Sequence, residues 1–173
     1  KKEGAKLDNL PMGKRINVRN AFRGDWKIFY KMKLPDDSMD IAIAVLNDES
    51  GSMSCRQRIT YARSASIILY DFCRSLDIPV AVYGHTECHD VDLYAYAEFD
   101  SVDGNDKYRM MDMSARYSNR DGAALRFVAE RLMTRPEPCK LLFIISDGQP
   151  AGNGGYGGTE AEADLRGIKA EYE

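Results

Sequence analysis

The stretch Ile41-Ala42-Ile43-Ala44-Val45-Leu46-Asn47-Asp48-Glu49-Ser50-Gly51-Ser52-Met53 decides the fold. Its first six residues form an unbroken apolar run, which reads as a strand buried on both faces. Beyond it, Ile59, Ala62, Ser66, Leu69, Cys73 and Leu76 recur at steps of three and four, the period of an amphipathic helix. Asp48-x-Ser50-x-Ser52 therefore falls on the turn that leaves the carboxyl end of a strand, where open α/β sheets bind ligands. One carboxylate and two hydroxyls present only oxygen, which suits a hard cation such as Mg²⁺. Gly51 permits a tight turn, so that alternate side chains converge on one point. Asp, Ser and Gly are also ordinary cap and turn formers, and the triplet by itself is compatible with either use.

Two further loops shift that balance. Lys140-Leu141-Leu142-Phe143-Ile144-Ile145-Ser146-Asp147-Gly148 is a second apolar run ending in an acid and a glycine. Between the two runs, Ser118-Asn119-Arg120-Asp121-Gly122 stands directly before a helix marked by Leu125, Val128, Ala129 and Leu132. Three oxygen-bearing loops, each at a strand or helix end, point to one site.

The remaining pattern predicts a doubly wound, mostly parallel α/β sheet. Ile78 to Gly84 reads as a strand fed by the first helix. Val91, Leu93, Ala95, Ala97 and Phe99 alternate with Asp92, Tyr94, Tyr96 and Glu98, the mark of a half-exposed antiparallel edge strand. The connection between these strands holds His85-Thr86-Glu87-Cys88-His89. Trp26, Ile28, Tyr30 and Met32 alternate, so residues 26–33 read as an extra strand or a covering extended segment. Residues 100–118 read as a polar, Met-rich loop with a short helix, and Ala161, Leu165, Ile168 and Tyr172 as a last amphipathic helix.

At this point the chain resembles von Willebrand factor A (VWA) domains, whose strand-D-x-S-G-S-M-helix unit is a metal-ion-dependent adhesion site (MIDAS). It is most similar to the branch holding the cobaltochelatase subunit CobT and nitric-oxide-reductase activation proteins. Gly13-Lys14-Arg15-Ile16-Asn17, Lys27-Ile28-Phe29-Tyr30-Lys31 and Leu34-Pro35 resemble the lead-in of that branch. So do Asn119-x-Asp121-Gly122, Ser146-Asp147-Gly148-Gln149-Pro150 and Tyr156-Gly157, which extends the likeness from about residue 13 to the end.

The resemblance implies a lead-in segment over 1–35 packing on a VWA domain over 36–173. That fold normally continues with one more strand and helix, so the domain is expected to be truncated at its C-terminus. The implied cofactor is Mg²⁺ or Mn²⁺, held directly by the Ser50 and Ser52 hydroxyls. Asp48 would act mostly through water and anchor the loop, with Asp147 likewise set back. Asp121 stands where the family usually has Thr. As a third carboxylate it would bring the summed ligand charge to about −3 against +2, making the ion less receptive to an incoming acidic group. Glu49 is expected to point away from Asp48 and to stay outside the site. The implied function is non-catalytic: a cytoplasmic interaction domain working with a MoxR-type AAA+ ATPase and a client complex in metal insertion or complex activation.

Composition agrees with one globular domain. The 173 residues are 44% hydrophobic and 29% charged, with a net charge of −3, which leaves no electrostatic footprint for nucleic acid or anionic membrane. No apolar run approaches a membrane span, and the N-terminus carries no secretory pattern. The start at Lys1 is expected of a piece excised from a longer protein. The 4 cysteines lack framework spacing, which favours a reducing, cytoplasmic setting. Cys88 with His85 and His89 could begin a zinc site, but a fourth ligand is not evident. Two other functions compete: an Mg²⁺-dependent phosphohydrolase or phosphotransferase using Asp48, and a cell-surface adhesion VWA module. The first needs a basic residue facing the site, for which Arg120 is the one loop candidate.

Overall fold

The computed structural model describes residues 6–10, 12, 15–18, 29–32, 40–101, 104–148 and 152–172. The chain divides into two compact units, Lys1–Met39 and Asp40–Glu173. The first holds β1 (Lys6–Leu10), β2 (Arg15–Ile16) and β3 (Phe29–Met32), an antiparallel sheet of order β1-β3-β2. The alternation expected over 26–33 is thus a strand from Phe29, within a sheet of its own; Trp26 to Ile28 lie outside the described residues.

The second unit is built on β4 (Ile41–Asp48), β5 (Val80–Glu87), β6 (Val91–Ala97) and β7 (Cys139–Ile145), in the order β6-β5-β4-β7. β4 runs parallel to β5 and β7, and β6 pairs antiparallel with β5. The helices are α1 (Arg58–Ser75), α2 (Asp106–Met110), α3 (Asp121–Met133) and α4 (Gly158–Tyr172), with 3₁₀ turns at Gly51–Gln57 and Asn153–Gly155. This is the mixed, mostly parallel α/β sheet with one antiparallel edge that the periodicities predict.

The pleat of β4 assigns its side chains to two cores. Ile43 and Val45 pack with Tyr70, Cys73, Val80, Val82 and Met110 on the α1 face. Ala42, Ala44 and Leu46 pack with Tyr83, Ala124, Leu125, Val128, Leu132 and Ile168 on the α3–α4 face. The small residues on that second face let α3 approach the sheet closely. Both faces are covered, which is why the strand reads as a continuous apolar run.

Three expectations change. β5 continues through His85, Thr86 and Glu87, because Asp48 pairs with His85 on one side and Glu87 with Val91 on the other. The connection shrinks to Cys88–Asp90, and among the described residues no His, Cys, Asp and Glu side chains group to hold zinc. Leu76 is 47% exposed, because α1 ends at Ser75 and Asp77 turns the chain away with φ 55°. The Met-rich segment is less of a surface loop than its polarity suggests, since Met110 and Met113 are buried in the α1-side core.

Candidate metal centre at the strand ends

Asp48, the last residue of β4, is fully buried and joins the three loops. Its Oδ1 accepts the Ser50 N–H at 2.8 Å, a local turn bond that folds the chain back after the strand. Its Oδ2 accepts from Asn119 Nδ2 and from Ser146 Oγ, each at 3.1 Å. Both carboxylate oxygens are therefore engaged in anchoring the loops.

Ser50 Oγ and Ser52 Oγ lie 2.9 Å apart. Adjacent ligands in an Mg²⁺ octahedron with metal–oxygen distances of about 2.0–2.1 Å are separated by ~2.9 Å. The two hydroxyls thus already span one edge of such a shell. The chain leaves this loop through Arg56 and Gln57, both left-handed at φ 52° and 60°. Side chains with a Cβ are strained there, by about 1 kcal/mol each. The turn delivers Arg58, at the start of α1, to Asp147: its Nη1 donates to Asp147 Oδ2 at 2.7 Å. The Asp147 side chain is 5% exposed, and its Oδ1 is buried without a hydrogen-bond partner among the described residues. Such an atom is a natural acceptor for a cation or its water.

Asp121, the first residue of α3, is buried and faces His85. Its Oδ1 lies 2.9 Å from His85 Nε2 and accepts from Asn119 Nδ2 at 3.4 Å. His85 Nδ1 lies 3.0 Å from the Asn47 carbonyl oxygen, which can only accept, so that nitrogen donates. Arg58 balances the charge of Asp147.

Behind the metal loop, Glu49 points to the opposite side, as expected. Its carboxyl is fully buried and accepts from Tyr96 Oη at 2.6 Å, Arg116 Nε at 3.2 Å and the Ser114 N–H at 3.4 Å. Burial, partly offset by these bonds, raises its pKa above the usual 4.5. Backbone bonds extend the clamp: Arg116 N–H donates to Glu49 O and Gly51 N–H to Tyr117 O, each at 2.6 Å. The segment 114–119 that delivers Asn119 is thereby fixed to the Asp48–Ser52 loop.

Arg120 does not face the centre. It sits 3.4 Å from Glu87 Oε1 and 4.9 Å over the Tyr156 ring. Tyr156 Oη accepts the Gly122 N–H at 3.3 Å and donates to Asp164 at 3.0 Å, tying the start of α3 to α4. Of the residues read from sequence, Asp48, Ser50, Ser52 and Asp121 share one bonded network with Asn119. Asp147 enters through Arg58 and its neighbour Ser146. His85, Asn119, Ser146 and Arg58 were missed as site residues; only the Asn119 and Ser146 motifs gave a signal. Among the described residues no three His, Cys, Asp or Glu side chains group to hold an ion, so the candidate centre depends on its hydroxyls. An all-oxygen set with one hydroxyl edge in place and one unpaired buried carboxylate oxygen fits Mg²⁺ or Mn²⁺.

The doubly wound sheet carries these loops together at its carboxyl edge. Residues 94–173, just under half of the chain, match the family model of the cobalamin biosynthesis protein CobT VWA domain, so the chain is similar to that domain over this stretch. The matched stretch carries the Asp121 and Asp147 loops and begins after the Asp48–Ser52 loop. The Bacillus subtilis (strain 168) protein YojO, described as uncharacterized, is 26% identical over 159 residues, 83% of this chain and 25% of its own length. The chain thus spans about a quarter of that relative. Among solved structures, the PilB minor pilin from Streptococcus sanguinis aligns at TM-score 0.55 and 18% identity, covering 70% of this chain and 33% of its own. A mutant of the same pilin aligns at 0.51, also at 18% identity, over 66% and 32%. Both likenesses concern the fold. No helix among the described residues is long and apolar enough to cross a membrane.

Proposed function

We propose that this chain is a non-catalytic, Mg²⁺- or Mn²⁺-dependent protein-interaction domain of a cytoplasmic chelatase or activation-type protein. The observation that carries the reading is the Ser50–Ser52 hydroxyl edge at 2.9 Å, held on a loop that Asp48 anchors to two others. Ser50 and Ser52 would hold the ion directly. Asp121, whose Oδ1 is occupied by His85 and Asn119, would face it with its other oxygen, and Asp48 and Asp147 would support it through water. A bound divalent ion supplies a Lewis-acidic position for a partner's carboxylate. The pairing of Asp147 with Arg58 makes that position more receptive than three bare carboxylates would.

The match to a CobT VWA domain supports a chelatase-associated role in cobalamin biosynthesis or a related activation process. The partner in this reading is a MoxR-type AAA+ ATPase whose ATP hydrolysis drives the work, with the VWA domain bridging it to a client. Thermal melts with and without Mg²⁺ test the centre. Wild type should gain about 3 kcal/mol at a hundredfold excess over Kd, and Asp48→Ala combined with Ser50→Ala should gain nothing. An unchanged Mg²⁺ response in the double variant places the ion elsewhere. Pull-down with the cognate ATPase should fail in chelator and with Ser52→Ala; equal capture in chelator removes the metal loop from the interface.

A further inference from the structure

We infer that Glu49, on the far side of the loop from Asp48, is a positioning residue of the metal centre: through Arg116 it sets the segment that presents Asn119, and divalent-ion affinity depends on it. This rests on the proposed function and adds a residue that the sequence places outside the site. Asn119 is where the loops meet, since its side-chain amide donates to Asp48 Oδ2 at 3.1 Å and to Asp121 Oδ1 at 3.4 Å. Asn119 is buried, yet none of residues 114–118 leading to it is. Hydrogen bonds, rather than apolar burial, therefore set the path of this segment.

Those bonds come from two places. The end of β5 holds Tyr117 and Ser118: Thr86 Oγ1 accepts the Tyr117 N–H at 3.1 Å and donates to Ser118 O at 3.0 Å, and Glu87 exchanges both backbone bonds with Ser118. Glu49 holds Ser114 and Arg116, its carbonyl oxygen accepting the Arg116 N–H and its carboxylate the Ser114 N–H and Arg116 Nε–H. Both charged groups have a single geometry. Gly84 leaves the space that the Glu49 carboxyl fills, because a Cβ there would overlap Oε1. The Arg116 guanidinium lies 4.1 Å over the Tyr94 ring, so it is fixed from its face as well as from its edge. A buried ion pair adds little net stability over an apolar replacement of the same shape; its best-attested use is to fix a register. Here the register is that of a segment whose Arg116 stands three residues before Asn119, too few to absorb a shift.

The test titrates Mn²⁺ into wild type, Glu49→Gln, Arg116→Ala and the double variant, reading free Mn²⁺ by its electron paramagnetic resonance signal, with urea unfolding of the same proteins. Gln keeps the size of Glu and gives up the charge that holds Arg116. Loss of a group that orients metal ligands typically costs 10–100-fold in affinity. The Kd for Mn²⁺ should therefore rise about tenfold in each single variant, and no further in the double variant, because the two side chains act as one unit. Tyr70→Phe breaks a buried tyrosine–carboxylate bond of 2.6 Å outside this network, and should lose stability while keeping the wild-type Kd. If Glu49→Gln does not fold, Arg116→Ala makes the same comparison, since that side chain is 31% exposed. An unchanged Kd in the Glu49 and Arg116 variants, an equal rise in Tyr70→Phe, or additive losses in the double variant overturns the inference and leaves the proposed function standing. Wild type that binds no Mn²⁺ overturns both.

Discussion

Gly84→Ala is the most demanding test of how the strand ends are packed. Gly84 lies in β5 opposite Asn47, and a Cβ there would overlap Glu49 Oε1 and sit 2.9 Å from Tyr96 Cε2. Glu49 is fully buried and held by Tyr96, Arg116 and Ser114, so its carboxyl has no path to solvent. Overpacking of this kind costs about 1–3 kcal/mol, and a displaced bond to a charged group about 1.5–3 more. We expect a loss of ~4 kcal/mol, or roughly 10 °C in Tm for a domain of this size. Gly122→Ala is the control. Its Cβ would overlap Asp164 Oδ2, whose side chain is 35% exposed and can swing outward, and would sit 2.8 Å from Tyr156 Oη, which must follow, so a smaller loss of ~2 kcal/mol is expected. The assay is urea unfolding of both variants and of Gly84→Ala combined with Glu49→Ala. The Gly84 penalty should shrink to below about 1 kcal/mol in the Glu49→Ala background, because the obstructing carboxyl is gone. A Gly84→Ala variant as stable as wild type, or an equal penalty in both backgrounds, would refute the packing.

Asp121→Thr removes the acceptor that His85 Nε2 faces, leaving a buried ring nitrogen unpaired at a cost of about 1–3 kcal/mol, and should also weaken Mg²⁺ binding. Calorimetry decides the second point, and tighter Mg²⁺ binding in the Thr variant would show that Asp121 does not face the ion. Tyr70 donates to Asp106 at 2.6 Å, and burial, reinforced by that carboxylate, raises its pKa from 10.0 to about 12. Its stabilisation is complete below the unfolded-state value and lost as pH rises through the folded one, because the unfolded chain releases the proton first. Across that window wild type should lose ~3 kcal/mol more than Tyr70→Phe in urea melts; parallel pH profiles would remove the Tyr70–Asp106 bond from the stability of the fold.

The sequence by itself determined the central strand, the helix after it and the order of the loops. Ile41–Leu46 is apolar at every position because both of its faces are covered, and that pattern survives in one dimension. Asp48, Ser50 and Ser52 were legible because local turn bonds, Asp48 to the Ser50 N–H above all, bring them together within a few residues. What only the tertiary structure decided is who stands opposite them. His85 meets Asp121 through a parallel register of β5 on β4, and Arg58 meets Asp147 across 89 residues after a left-handed turn that no periodicity announces. The Arg58–Asp147 pair offsets one of the three carboxylates counted along the chain. Charge balance depends on distances between residues far apart in sequence, and a linear pattern of residue types does not contain them.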